Sequence, residues 1–157
     1  MGRTVNHGIF VGEHELVIDE KNRLLIPSEV RRSLIPDRDG NAFYVVIGSN
    51  RKPWLYPERY YEFLVSERRQ GLTPDKSVVS FALSHFGMAS IVDWDKQWRV
   101  LIPEKTLART HTGKQITLVG AGDHLQIWNR DDWERQFHDM LDQAEGGATT
   151  PPPGQQN

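Results

Sequence analysis

Asp19-Glu20-Lys21-Asn22-Arg23-Leu24-Leu25-Ile26-Pro27 decides how this chain is read, because it returns as Asp95-Lys96-Gln97-Trp98-Arg99-Val100-Leu101-Ile102-Pro103. Both stretches run Asp, three residues, Arg, three aliphatic residues, Pro. One such nonapeptide carries no weight. Two in one chain, 76 residues apart and with matching flanks, mark a duplicated structural unit.

The match extends outward from the nonapeptides. Leu16-Val17-Ile18 aligns with Val92-Asp93-Trp94 at the same offset of 76. Downstream, Val45 to Gly48 aligns with Thr117 to Gly120 at an offset of 72, as do Leu55-Tyr56 with Ile127-Trp128 and Tyr61-Glu62 with Trp133-Glu134. The change from 76 to 72 puts a four-residue excess in the first copy, within Ile35 to Asn41. That polar run is expected to be a surface loop, where length changes cost little. The expected organisation is a first repeat over 8–56, a helical connector over 57–87 and a second repeat over 88–128. A C-terminal helix over 129–145 and a disordered tail over 146–157 follow.

Within each copy the pattern predicts strand, loop, strand, short helix, hairpin, a mainly β α+β fold. His14 to Asp19 and Arg23 to Ile26 read as strands around the turn Glu20-Lys21-Asn22. Pro27 opens a short helix with Val30 and Leu34 inward and Arg31 and Arg32 outward. Phe43 to Ile47 pairs with Trp54 to Tyr56 across Gly48-Ser49-Asn50, where copy two has Gly120-Ala121-Gly122. Ile9-Phe10-Val11 is a candidate extra strand.

The connector predicts two helices. The first runs from Pro57 to about Gln70, with Tyr60, Phe63 and Leu64 on its inner face. The second has Thr73 as cap, Pro74 at its first position, an apolar stripe of Val78, Phe81, Ala82 and His85, and a stop at Gly87. The closing helix has Asn129 as cap and Trp133, Phe137, Met140, Leu141 and Ala144 along one face. Trp94, Trp128 and Trp133 sit at positions expected to be buried. Trp54 and Trp98 lie near turns, and Trp98 is a candidate oligomer anchor.

Composition narrows the function classes. The 157 residues are 38% hydrophobic and 10% aromatic, with no cysteine and a formal net charge of -2. The missing cysteine removes disulfide frameworks and thiolate metal sites and fits a reducing cytoplasm. No apolar run approaches the roughly 20 residues of a membrane span, and no signal-peptide core follows Met1. Residues 1–80 carry 12 Lys+Arg against 11 Asp+Glu, and residues 81–157 carry 7 against 10. Phosphate contact, if any, is favoured in the first copy. The six histidines lack metal-ligand spacing. His85 reads as a hydrogen-bonded core residue, Asp93 and Asp95 as strand-end carboxylates, and nothing resembles a nucleophile elbow or phosphate loop. No enzyme, cofactor, metal or small-molecule substrate is expected.

On the two Asp-x-x-x-Arg…Ile-Pro elements, with Leu55-Tyr56-Pro57 and Gln126-Ile127-Trp128 closing the copies, the chain resembles the MraZ family of bacterial regulators associated with division and cell-wall gene clusters. The match runs from about Gly8 to Leu141. The resemblance implies tandem AbrB-like swapped-hairpin units, interlaced into a small β-barrel as an intrachain pseudo-dimer. It further implies a cytoplasmic, nucleoid-associated homo-oligomeric ring that binds double-stranded promoter DNA, usually as a repressor. Lys21, Asn22, Arg23, Arg31, Arg32, Lys96 and Arg99 are then the candidate DNA contacts, and Asp19 and Asp95 the residues that structure the loops.

The chemistry suits the part. An Arg fork fits guanine O6 and N7 or a phosphate, and Lys21 adds a mobile charge. Asn22 can reach a base edge or merely form the turn. The plainer alternative is that Asp19 and Arg23 are only a turn-stabilising ion pair. Two features depart from the family pattern. It has Gly before this Arg, where the chain has Asn22 and Trp98; the indole implies a second loop of different shape, or one that stacks Trp98 on a neighbour. The family's connector arginines are replaced here by Lys76, Val78, Val79 and Phe81. An oligomeric structural or partner-binding module of the same fold is the main alternative, and an AbrB-type antitoxin a third.

Overall fold

Aliphatic residues turned inward from the strands build the core. The computed structural model describes residues 7–68 and 71–146. In β1 (Glu13–Val17) the side chains alternate between exposed and half-buried, and in β2 (Arg23–Leu25) the buried Leu24 stands between half-buried Arg23 and exposed Leu25. Leu24 and Ile26 are 0% exposed while Leu25 between them is 47% exposed, the period-two signature of a half-buried strand. Strands β3 (Ala42–Ile47) and β4 (Pro53–Pro57) form the first hairpin. In the second half come β5 (Ser90–Asp93), β6 (Arg99–Leu101) and the hairpin of β7 (Gln115–Gly120) with β8 (Leu125–Asn129).

Six of these strands make one antiparallel sheet in the order β1-β7-β8-β4-β3-β5, and β2 pairs with β6 in a separate two-stranded ribbon. Reading the six-stranded order from either end gives the same sequence of roles. Strand β1 pairs with β7, β5 pairs with β3, and β4 meets β8 at the centre. The first strand of each half therefore adds to the hairpin of the other half. Phe43, Val45, Leu55, Ile116, Leu118, Leu125 and Ile127 join Leu24, Ile26, Val100 and Ile102 in one fully buried core. Each such side chain contributes about 1.5–3 kcal/mol by leaving water.

The registers correct the sequence alignment by one residue. Phe43 stands opposite Pro57, and Ile116 stands opposite Asn129. With Pro57 matched to Asn129 at 72 residues, Phe43 matches Ile116 at 73. Burial agrees, since Phe43 and Ile116 are both inside whereas Gln115 is exposed. The first copy's excess is thus three residues before β3 and one in the β3–β4 turn.

Those three residues do not form a loop. Pro36–Asp39 is a helical turn, α2, following α1 (Ser28–Arg31). Asp39 is 0% exposed and accepts from the Ile35 N–H at 2.8 Å and from Arg38 Nε and Nη2 at 3.0 and 2.9 Å. A carboxylate needs such compensation to stay inside. Ile9-Phe10-Val11 is not a strand either. Phe10, 2% exposed, is pinned through a single bridge to Gly122. The chain lies so close that a Cβ on Gly120 would come within 2.4 Å of the Val11 nitrogen.

The helices depart from expectation mainly in their ends and faces. Pro27 and Pro57 are cap residues, so α1 and α3 (Glu58–Ser66) start one residue later. Helix α3 ends at Ser66, and Gln70, the expected end, lies outside the described residues. Its buried residues are Tyr60 and Tyr61, while Phe63 is exposed. Helix α4 (Lys76–Gly87) is capped by Asp75, whose carboxylate accepts the Val78 N–H at 3.1 Å, rather than by Thr73. None of its residues is buried. His85 bonds Tyr61 at 2.8 Å, and burial and Arg68 hold its pKa below the usual imidazole value.

Helix α5 is Glu104–Arg109 and α6 is Arg130–Gly146. Asn129 does not cap α6 through its oxygen, which accepts from the Gly113 N–H instead. Phe137, Met140 and Leu141 are exposed. Trp94, Trp128 and Trp133 are half-buried rather than interior: Trp94 packs against the core, while Trp128 and Trp133 meet edge to face at 5.4 Å. The tail expected over 146–157 starts one residue too early, since Gly146 still belongs to α6, and 147–157 lies outside the described residues. Among those described, no helix is long and apolar enough to cross a membrane.

Candidate nucleic-acid interface

Both Asp-x-x-x-Arg segments close in the same way. The Asp19 N–H donates to the Arg23 carbonyl at 3.0 Å, and the Asn22 N–H donates to the Asp19 carbonyl at 2.9 Å. Asp19 Oδ1 then accepts the N–H groups of Lys21 at 2.9 Å and Arg23 at 2.8 Å, and Oδ2 accepts Arg23 Nε at 2.8 Å. An Asp side chain bonding the backbone just ahead of it is a turn-forming device. In the second loop Asp95 does the same for Gln97, Arg99 and Arg99 Nε at 2.8, 3.0 and 2.9 Å. The Arg23 N–H first, then its guanidinium and the Lys21 N–H, hold the Asp19 carboxyl below its ordinary value against a partial desolvation. The N–H groups of Arg99 and Gln97 and then the Arg99 guanidinium do so for Asp95.

Each arginine is thereby aimed. Nε faces its Asp, and among the described residues the two terminal Nη groups have no protein partner. Those groups form the edge of the guanidinium that can grip a phosphate or a guanine in two-point fashion. The plain reading as a turn-closing ion pair describes one edge of the group and leaves the other unused.

The ribbon β2–β6 joins the two loops. Arg23 stands opposite Leu101 and Leu25 opposite Arg99. These four side chains share the outer face, with Leu25 and Leu101 at 47% and 57% exposure, while Leu24 and Val100 point into the core. As diagonal neighbours across an antiparallel pair, the two arginines originate roughly 7–8 Å apart. The Asn22 carbonyl accepts the Ile102 N–H and the Trp98 carbonyl accepts the Ile26 N–H, both at 2.8 Å. Each loop is thus fastened to the Ile-Pro step of the other half.

The second loop is not reshaped by its tryptophan. Trp98 holds φ at 60°, and Asn22 holds it at 63°. The indole stacks on Trp94 at 5.2 Å between centroids, and the Arg31 guanidinium lies 5.5 Å from its centre. It is a contact within the chain. Arg31 is correspondingly half-buried, with Nε donating to the Ile26 carbonyl at 2.8 Å, so it does not point outward. Arg32, Lys21 and Lys96 are exposed.

One residue at this surface was not singled out from sequence. Lys114 reaches the first loop from the other half, its Nζ donating to Asn22 Oδ1 at 2.7 Å and to the Asp19 carbonyl at 3.2 Å. Nothing local marks it, because its partners lie 92 and 95 residues away in the chain. No group of three or more His, Asp or Glu that could hold a metal ion gathers among the described residues.

Known proteins supply an independent line. The family model of the MraZ protein, described as antitoxin-like, matches residues 85–149. The chain is 30% identical over 135 residues to the transcriptional regulator MraZ of Lachnoclostridium phytofermentans, covering 86% of this chain and 92% of that one. It is 32% identical over 131 residues to the transcriptional regulator MraZ of Pediococcus pentosaceus, covering 83% and 88%. It is 30% identical over 135 residues to that of Neisseria meningitidis serogroup A, covering 85% and 89%.

Proposed function

The chain belongs to the MraZ family, and we propose that it is a transcription regulator that binds double-stranded promoter DNA through its Asp19–Arg23 and Asp95–Arg99 loops. The observation that carries this reading is the shared geometry of Arg23 and Arg99. Each is fixed through Nε by its own Asp, with the Nη edge left for a ligand, and the two stand side by side on an exposed ribbon. Fixing the guanidinium before binding lowers the entropy lost when it engages a phosphate or base. Lys21, Lys96 and Arg32 add exposed charge nearby, and Asn22 adds a carboxamide.

The rest of the reading follows the family. The exchange of β1 and β5 between halves supports tandem AbrB-like swapped-hairpin units, with 8–56 and 88–128 as the repeats and 57–87 as the connector. The proposal includes a homo-oligomeric ring in the cytoplasm at the nucleoid, repressing division and cell-wall genes. The exposed apolar faces of α4 and α6 leave surface for neighbouring copies. Those same faces and the acidic second half favour the second reading, an oligomeric module of this fold that does not recognise DNA.

A salt-titrated binding assay separates the two. The probe is a duplex spanning the region upstream of the protein's own gene, compared with a scrambled duplex of the same length. Regulation by direct binding requires preference for the first, with log affinity falling steeply against log salt. Equal, weak binding to both duplexes sinks it in favour of the structural module.

A further inference from the structure

We infer that Lys114 completes the DNA site of the first loop, so that this site takes from the other half of the chain a lysine that the second loop lacks. The inference rests on the DNA-binding reading above. The backbone of Lys114 is fixed where the β1–β7 ladder ends, its carbonyl accepting the Ile18 N–H at 2.9 Å. From there the side chain extends over the loop, and its ammonium donates to Asn22 Oδ1 and to the Asp19 carbonyl. An ammonium has three donors. Two are spent on the loop, and the third remains on an exposed residue.

Two consequences follow from that geometry. Because Oδ1 of Asn22 is engaged by Lys114, the carboxamide presents its NH2 group away from Lys114. A donor pair so oriented suits an acceptor on a base edge or a phosphate. The free donor of Lys114 adds a positive charge beside Arg23, where a phosphate bound by the Arg23 fork would be shared. Lys114 is therefore a positioning residue for Asn22 and a contributor of charge.

The second loop lacks both partners. With β3 and β7 matched at 73 residues, the position equivalent to Lys114 is Asn41, which carries no charge. The position equivalent to Asn22 is Trp98, which offers no side-chain acceptor. The asymmetry between the loops thus arises from two differences that act on each other.

The test has an arm with DNA and an arm without. In the free protein, the Asn22 side-chain NH2 resonances and the exchange of the Lys21 and Asn22 amides are compared between wild type and Lys114→Met. Shifted NH2 resonances and amide exchange faster by about fivefold are expected, as for loss of one hydrogen bond of typical net strength at an exposed site. Unchanged resonances and exchange overturn the positioning role. With the upstream duplex, Lys114→Met is expected to weaken binding by about fivefold and to reduce the log-log salt slope by about one. Its preference over the scrambled duplex should fall too, and that fall should vanish in an Asn22→Gly background while the slope change persists. Affinity and slope equal to wild type overturn the charge role, and equal loss of preference in both backgrounds overturns action through Asn22. Wild type that shows no preference removes the DNA reading itself, and the arm without DNA then decides alone whether Lys114 orders the loop.

Discussion

Trp98 and Asn22 hold the same left-handed backbone conformation, φ 60° and 63°, at equivalent points of the two loops. Asparagine tolerates that region, whereas an indole there costs roughly 1–2 kcal/mol. The stack on Trp94, contributing about 0.5–1.5 kcal/mol, and the Arg31 guanidinium over the ring, about 0.5–1 kcal/mol, offset the strain.

Truncating Trp98 separates these terms. Trp98→Ala keeps the steric penalty and loses the stack, while Trp98→Gly loses both. Urea unfolding should place Trp98→Ala about 2 kcal/mol below wild type, and below Trp98→Gly by roughly 1 kcal/mol. If the alanine variant matched wild type, the stack would contribute nothing.

Arg23 is expected to matter more to DNA than Arg99, because Lys114 and Asn22 stand beside it alone. Arg23→Ala should weaken binding to the upstream duplex by roughly 1–3 kcal/mol, and Arg99→Ala by less than half of that. Light scattering should show both variants at native size. Equal losses would mean that the loops share recognition despite their different neighbours.

Acid should unlock both loops together. The folded-state pKa values of Asp19 and Asp95 lie below their ordinary 3.8. The carboxylates' contribution to loop order is therefore complete above that value and lost as pH falls through the lowered ones. The Arg23 and Arg99 Nε–H resonances should hold steady from neutral pH to about 4 and move only below it. Asp19→Asn should show the displaced Arg23 resonance already at pH 7. Titration of either Nε–H above pH 5 would show that the carboxylate does not hold it.

Asp39 should behave as a buried charge that needs its partner. Asp39→Ala leaves Arg38 without its counter-charge, held only by the Ser33 carbonyl at 2.8 Å, and the Ile35 N–H without an acceptor, and should cost roughly 3–5 kcal/mol. Replacing both Arg38 and Asp39 by apolar residues should cost less than the two single changes added together. Strict additivity in that cycle would rule out the pairing as the source.

The tandem Asp-x-x-x-Arg pattern and its aliphatic tail were enough, by themselves, to announce the strands around each loop and the arginines at their ends. Those features are local. A turn closed by Asp19 on Lys21 and Arg23, and a strand that alternates Leu24, Leu25, Ile26, depend on residues within five positions of one another. What depended on distant packing was not legible. The one-residue shift between β3 and β7 became visible only from cross-strand partners, since hairpin turns absorb an extra residue without any composition signal. Asp39 reads as loop and is interior, because Arg38 and the Ile35 N–H compensate its charge. Trp98 reads as an obstacle to the left-handed turn, and Trp94 and Arg31 make the turn tolerable. Lys114 reads as one lysine among many. The exchange of first strands between halves, which adds β1 to β7 rather than to its own hairpin, brings it onto the first loop. The tertiary structure decided these points because each rests on contacts between residues that the chain keeps far apart until the sheet has formed.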